Sequence, residues 1–219
     1  TISCAAMLAD WTQQEVLTGT TIMAVEYNGG VVIGADSRTS SGTYVTNRTQ
    51  DKLTPLTEYI YCCRSGSAAD TQAIADHVRY YLDFSRISQG REPTVRYAAH
   101  VMQSILYNNR DNLSAAVIVA GWDEVNGGQV YCIPLGGLLV RQPMAAGGSG
   151  STYIWGHLDA QFKPGMTDTE CQEFVAKSVS LAIKRDGSSG GVCRLAVINR
   201  GGVQRRIIMH EDLPKSYDG

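Results

Sequence analysis

Six short strings hold most of the side chains in this sequence that could do chemistry. They are Gly19-Thr20-Thr21-Ile22-Met23-Ala24-Val25, Gly34-Ala35-Asp36-Ser37-Arg38, Asp51-Lys52-Leu53, Cys63-Arg64-Ser65-Gly66-Ser67-Ala68-Ala69-Asp70, Gly147-Gly148-Ser149-Gly150-Ser151 and Arg185-Asp186-Gly187-Ser188-Ser189-Gly190-Gly191. Together they offer hydroxyls, carboxylates, an ammonium and glycine-flanked backbone, the materials of a hydroxyl nucleophile with charged support. An ordinary threonine hydroxyl is far too weakly acidic to attack an amide at neutral pH, so such chemistry needs a base within reach. Residue type alone also allows a structural reading of each. Thr20 would be a β-branched strand residue, Asp36 a turn or cap at a strand end, Lys52 a solvated loop lysine and Arg64 a surface arginine. Ser149, Asp186 and Ser189, set among glycines, would be turn formers.

Metal chemistry has less to build on. The cysteines (Cys4, Cys62, Cys63, Cys132, Cys171 and Cys193) and the four histidines show no metal-ligand spacing, so neither a metal nor a cofactor is expected. Cys62 and Cys63 are adjacent in a strand-like run, where side chains point to opposite faces and a mutual disulfide is disfavoured. Buried thiols in a reduced compartment are the expectation. A net charge of −2 gives no electrostatic case for nucleic acid or an anionic membrane. No Lys or Arg precedes Arg38, which argues against a secretory signal or a mitochondrial presequence. No apolar run approaches the roughly 20 residues needed to span a bilayer. Cytoplasm and nucleus are the expected locations.

The elements that must position these strings follow from periodicity. TTIMAVEY and VVIGADS flank Asn28-Gly29-Gly30, a strong hairpin signal because primed turns need positive φ. YIYCCRSG (59–66) reads as a further strand. Two helices follow: Ile74, Val78, Tyr81 and Leu82 mark the apolar face of the first, and Ala98, Val101, Met102 and Ile105 that of the second, with Gly90 and Pro93 at the join. A second strand block holds AAVIVAGWD, a turn at Asn126-Gly127-Gly128, QVYCIPLGG and LLVRQPMAAGG. Thr167 and Glu170 form a capping box for a helix with Phe174, Val175, Val179, Ala182 and Ile183 on its apolar face. CRLAVINR, Gly201-Gly202 and VQRRIIM close the chain as a hairpin. Strands, two helices, strands, one or two helices, then strands predict an α+β fold of two antiparallel sheets face to face, with helices on the outer faces. Residues 1–19 lack this patterning and read as a leader whose true start has been trimmed.

Starting at Thr20, the six strings in this order resemble the beta subunits of the 20S proteasome, N-terminal-nucleophile hydrolases, over about nine-tenths of the chain. The resemblance implies a four-layer αββα sandwich, with residues 1–19 as propeptide and 20–219 as one peptidase domain. It implies that Thr20 becomes the nucleophile after self-cleavage between Gly19 and Thr20. A freed α-amine, with a pKa near 7.7–8.0, would then serve as the base for its own Oγ. Glycine before the threonine would tolerate the bent backbone that the attack demands. Lys52, held by Asp36, would stabilise developing charge and keep the amine neutral. Gly66, just before a helix, would supply the oxyanion N–H, and Ser149, Asp186 and Ser189 the network around the amine.

Arg64 matches the floor of the S1 pocket, and a guanidinium there suits a carboxylate. This looks like the caspase-like beta type in its constitutive form, since the immune-inducible counterpart carries an apolar residue at that position. Thr39, Gln50, Ala68 and Gln72 match other pocket positions, although Gln50 departs from the Thr or small apolar residue common there. The implied partners are other beta subunits in a heteroheptameric ring, the alpha rings and regulatory particles, acting on unfolded polypeptides. Two other readings carry less of the pattern. A catalytically silent ring subunit would generally lack the intact threonine, lysine and glycine set, and a small-molecule amidohydrolase of the same superfamily would lack the SGSAAD and DGSSGG strings. A homomeric bacterial-type subunit is a further alternative.

Overall fold

The computed structural model describes residues 19–41 and 44–214. The expected leader therefore lies outside the described residues, apart from Gly19.

Strands β1 (Ile22–Tyr27), β2 (Gly30–Ala35), β10 (Met144–Gly147), β11 (Cys193–Asn199) and β12 (Gly202–Ile208) form one antiparallel sheet, ordered β10-β1-β2-β11-β12. Strands β5 (Leu53–Pro55), β6 (Ile60–Gly66), β7 (Ala115–Asp123), β8 (Gly127–Ile133) and β9 (Val140–Arg141) form a second, in sequence order. A small ribbon pairs β3 (Thr39–Ser41) with β4 (Tyr44–Asn47). The four α-helices of the described residues are α1 (Ala68–Gln89), α2 (Val95–Asn108), α3 (Ser151–Gln161) and α4 (Asp168–Arg185).

Period-two alternation explains the layering. Ile22, Ala24, Val31 and Ile33 meet Tyr61, Cys63, Ile118 and Ala120 between the sheets. The intervening Met23, Val25 and Val32 face the other way, against Ile154 of α3 and Phe174, Val175 and Val179 of α4. On the second sheet Ile60, Cys62, Val117 and Val119 face Ile74, Val78 and Leu82 of α1 and Ala98 and Met102 of α2. The result is the four-layer αββα sandwich. Cys62 and Cys63 fall in different layers, as the alternation requires. Burial pushes the Cys62, Cys171 and Cys193 thiols up to about 12, so these cysteines are inert packing groups.

Local signals account for most boundaries. Ser67 caps α1 and Gly90 ends it in the left-handed region (φ 64°). Thr167 and Glu170 form the expected capping box of α4. Three expectations are corrected. Tyr81 is 49% exposed rather than part of the α1 core, its ring lying edge-on to Tyr80 at 5.7 Å. The turn after β1 has positive φ at Gly29 alone, so it is not type I′, which needs it at both central residues. The run LLVRQPMAAGG does not stay in one sheet: Val140–Arg141 joins β8, and past Pro143 the chain crosses over so that Met144–Gly147 joins β1. Proline cannot continue a ladder from its own nitrogen, and here its carbonyl accepts the Glu26 N–H at 2.7 Å.

The sheets approach closely at Gly128, where an added Cβ would collide with the Gly30 backbone across the interface. Gly128→Ala should therefore destabilise the full chain by about 1–3 kcal/mol through overpacking. Urea unfolding with no shift in midpoint would contradict this.

Candidate active site

Antiparallel register decides which residues meet. The start of β1 lies beside the ends of both its neighbours, because Ile22 pairs with Ala35 of β2 and with Gly147 of β10. The residues just beyond those ends are Asp36 and Gly148-Ser149. The start of β11 also lies beside the end of β2, with Arg194 opposite Ala35. This brings the 186–191 loop to the same place. Thr20, two residues before β1 and only 3% exposed, sits where these segments converge.

The Gly19–Thr20 peptide bond is intact, so Thr20 N is an amide here. A Cβ on Gly19 would run into the Ser188 backbone and side chain, and Gly19 is not among the glycines with positive φ. Close approach, rather than an unusual backbone angle, requires glycine there. Gly148 has both constraints, a φ of 83° and a Cβ position blocked by the Thr20 carbonyl.

Asp36 is fully buried and all four of its acceptor positions are filled. Oδ1 accepts from Lys52 Nζ at 2.6 Å and the Thr21 N–H at 2.9 Å. Oδ2 accepts from the N–H groups of Arg38 and Gly190, each at 3.1 Å. Lys52 spends its three hydrogens on Asp36, on the Gly19 carbonyl oxygen at 3.1 Å and on Thr20 Oγ1 at 3.2 Å. Thr20 Oγ1 in turn donates to the Gly19 oxygen at 2.7 Å. Burial pulls the Lys52 pKa below the ordinary lysine value, and Asp36 pushes it back in part. An ammonium held in this way can stabilise negative charge on either oxygen it touches.

A second arm approaches from the other side. The Thr20 N–H donates to Ser149 Oγ at 3.2 Å, and Ser149 Oγ donates to Asp186 Oδ2 at 2.7 Å. Ser189 Oγ donates to the same oxygen at 2.6 Å, and the Ser188 N–H reaches Asp186 Oδ1 at 3.0 Å. Burial opposes the charge on Asp186. The hydrogen bonds from Ser189, Ser149 and Ser188, with Lys52 nearby, outweigh it and hold the carboxyl below its ordinary value.

A cleft beside Thr20 is lined by Thr39, Gln50, Lys52, Arg64, Gly66, Ala68 and Thr71. Gly66 closes β6 with φ 106°, and a Cβ there would strike the Ser114 carbonyl. Arg64 donates its N–H to the Lys52 carbonyl at 3.0 Å and Nη2 to the Asp51 carbonyl at 3.1 Å, while its buried Nε has no hydrogen-bond partner. The structure thus gathers Thr20, Asp36, Lys52, Gly66, Ser149, Asp186 and Ser189 with Thr39, Gln50, Arg64 and Ala68. Gln72 lies next to this cleft, across Arg64. It lies exposed on α1 and lines the adjacent cavity with Asp51 and Pro55. Sequence reasoning missed Thr71, whose position three residues after Ala68 places it on the same helix face. It also missed the use of Thr21, which read as one more strand residue. No group of histidines, cysteines and carboxylates among the described residues could hold a metal ion.

Replacing Asp36 by Asn removes the charge that compensates Lys52, and should cost about 3–5 kcal/mol of stability in urea unfolding of the full chain. An unchanged midpoint would show that the pair is not needed. Asp186 gives a pH signature. Its folded pKa lies below the unfolded value of 3.8, so its contribution is complete above that pH and is lost as pH falls through the folded value. Asp186→Asn should remove this part of the acid-unfolding profile, and a profile identical to that of the unchanged chain would count against the network.

Comparison with known proteins gives the family. The model of the proteasome subunit family matches residues 16–198. Proteasome subunit beta type-6 of Dictyostelium discoideum is 56% identical over 210 residues, covering 96% of this chain and 98% of that protein. Proteasome subunit beta type-9 of Bos taurus and of Homo sapiens are each 55% identical over 204 residues, covering 93% of both chains. With a family match across most of its length and relatives aligned nearly end to end, this chain belongs to the proteasome beta subunit family.

Proposed function

We propose that the chain is the precursor of a threonine endopeptidase of the caspase-like beta type, which cleaves unfolded polypeptides after acidic residues. The observation that carries this reading is the buried Lys52 ammonium. It is anchored on Asp36 and touches both Thr20 Oγ1 and the Gly19 carbonyl oxygen. In self-cleavage, Thr20 Oγ attacks the Gly19 carbonyl carbon while Lys52 steadies the negative charge arising on its oxygen. The Oγ proton passes to the amide nitrogen, which leaves as the new α-amine when the C–N bond breaks, and water hydrolyses the resulting ester to release residues 1–19.

The freed amine then takes the Oγ proton as Thr20 attacks a substrate carbonyl. Gly66 N–H would steady the developing oxyanion, the α-amine passes the Oγ proton to the departing substrate amine as the peptide C–N bond breaks, and water then hydrolyses the acyl-enzyme. No metal or cofactor enters any step. An acidic side chain entering the cleft would satisfy the Arg64 guanidinium, whose buried Nε has an unspent donor. Gly19 and Gly148 support the reading too, since a side chain at either would collide with the backbone of Ser188 or Thr20 beside the scissile bond. The partners are the other beta subunits of a heteroheptameric ring, the alpha rings and regulatory particles, in cytoplasm and nucleus. Ring closure would admit only unfolded chains. A silent ring subunit is the competing reading, and activity at Thr20 decides between them.

In assembled particles the mature chain should begin at Thr20 by intact mass, and Thr20→Ala should retain the leader and lose hydrolysis of acidic peptides. Activity should fall as pH drops through the amine's pKa, near 7.7–8.0 before local shifts, because protonation removes the base. Arg64→Leu should lower kcat/KM for a peptide with Glu before the scissile bond by about tenfold or more, and spare one with Leu. Equal cutting after Glu, Leu and Arg by the unmutated particle would sink the pocket assignment.

A further inference from the structure

Thr21 follows the candidate nucleophile directly and is fully buried. A core position at a strand entry is usually filled by Val or Ile, yet this side chain spends a hydroxyl. Its Oγ1 lies 2.8 Å from Ser189 Oγ. Gly150 keeps the space open, since a Cβ there would collide with Thr21 Oγ1. The Thr21 backbone meets the other arm of the site: its N–H donates to Asp36 Oδ1 at 2.9 Å, and its carbonyl accepts the Asp36 N–H at 3.0 Å. One residue therefore touches both the Asp36–Lys52 pair and the Asp186 network.

Proton counting fixes the direction of that network. An ionised Asp186 only accepts, so the single Ser189 hydroxyl proton goes to Oδ2 at 2.6 Å. Towards Thr21, Ser189 then offers a lone pair, and Thr21 must donate. Ser149 also spends its proton on Oδ2, at 2.7 Å, which leaves a lone pair facing Thr20 N at 3.2 Å. Two ordered paths, one from Thr21 through Ser189 and one from Thr20 N through Ser149, end on the same carboxylate oxygen.

We infer that Thr21 is a positioning residue for the Thr20 site, its hydroxyl locking Ser189 onto Asp186 and so fixing how Ser149 presents a lone pair to the Thr20 nitrogen. The inference rests on the reading of Thr20 as nucleophile. Once the leader is removed, a Ser149 lone pair holding one amine N–H leaves the amine's own lone pair free to turn towards Thr20 Oγ. Without the Thr21 donor, Ser189 holds Asp186 less firmly and more negative charge stays exposed on the carboxylate. That charge favours the protonated amine. The other charged groups around the site, Asp36, Lys52 and Arg38, keep their contacts.

The test uses purified assembled particles carrying Thr21→Val, Thr21→Ala, Thr21→Ser, Ser189→Ala and the Thr21→Val/Ser189→Ala pair. Thr21→Val should lower kcat about tenfold with KM within twofold, and move the acid limb of the kcat/KM profile to higher pH. Thr21→Ser should restore both. The double variant should be no slower than Ser189→Ala alone, since the two residues act in series. Additive losses, or a Val variant with unchanged kcat and pH profile, would overturn the inference. So would failure of both Thr21→Val and Thr21→Ala to assemble while Thr21→Ser assembles, because the hydroxyl would then serve folding. A Thr20→Ala control separates the two levels: if it stays active the nucleophile assignment fails, and if it is dead beside an unaffected Thr21→Val only the positioning role fails.

Discussion

The buried carboxylate of Asp36 is the constraint on which the site depends. A charge removed from water is tolerated only when it is paired and its remaining lone pairs are satisfied. Here the four donors come from four separate stretches of chain: Thr21 ahead of β1, Arg38 after β2, Lys52 before β5 and Gly190 in the loop before β11. Satisfying one residue therefore fixes the relative placement of all four. Lys52 is carried along, and its two remaining hydrogens have nowhere to go but the Gly19 oxygen and Thr20 Oγ1. A buried ion pair is weak evidence for stability in general. In this position it specifies geometry.

The sandwich supplies the rigid frame. Each sheet is apolar on both faces because it is covered on both, by the other sheet and by a helix pair. The ends of β1, β2, β10 and β11 then meet at one end of the first sheet, and the second sheet delivers Lys52 and the Arg64–Gly66 end of β6 from across the interface. Functional groups on strand ends inherit the precision of the ladders behind them. Hydroxyls on free loops would not.

Glycine recurs around the site for reasons of space as much as of backbone angle. Gly19 admits Ser188, Gly150 leaves room for the Thr21 hydroxyl, and Gly190 lies against the Arg38 guanidinium. Arg38 also donates to the Gly187 carbonyl at 3.0 Å, holding the 186–191 loop from outside. Every close approach removes a position that water or a side chain would otherwise fill. The hydrogen bonds that join Thr20 to Lys52 directly and to Asp186 through Ser149 consequently act in a poorly solvated setting, where they are stronger than in water.

The layers were legible in the sequence because they are local physics. Alternation in TTIMAVEY and YIYCCRSG, the 3.6-residue period from Ile74 and from Ala98, the Thr167–Glu170 box and the glycine turns each act over a few residues, and the structure follows them closely. The ribbon of β3 and β4 and the switch of sheets at Pro143 were not legible, since short irregular strands are set by whatever they pack against. The clustered strings Gly66-Ser67-Ala68, Asp186-Gly187-Ser188-Ser189 and Gly34-Ala35-Asp36 marked where chemistry could lie. Residue type alone left every one of them an ordinary turn or cap. Only tertiary pairing, with Ile22 opposite both Ala35 and Gly147, put Asp36, Lys52 and Ser149 against Thr20, showed Thr21 to be a hinge between two hydrogen-bonded arms, and placed Gln72 in the neighbouring cavity that Arg64 also lines. A hydrogen bond between residues 129 apart leaves no periodic trace in either of them, whereas a strand or a cap is written in its own neighbours.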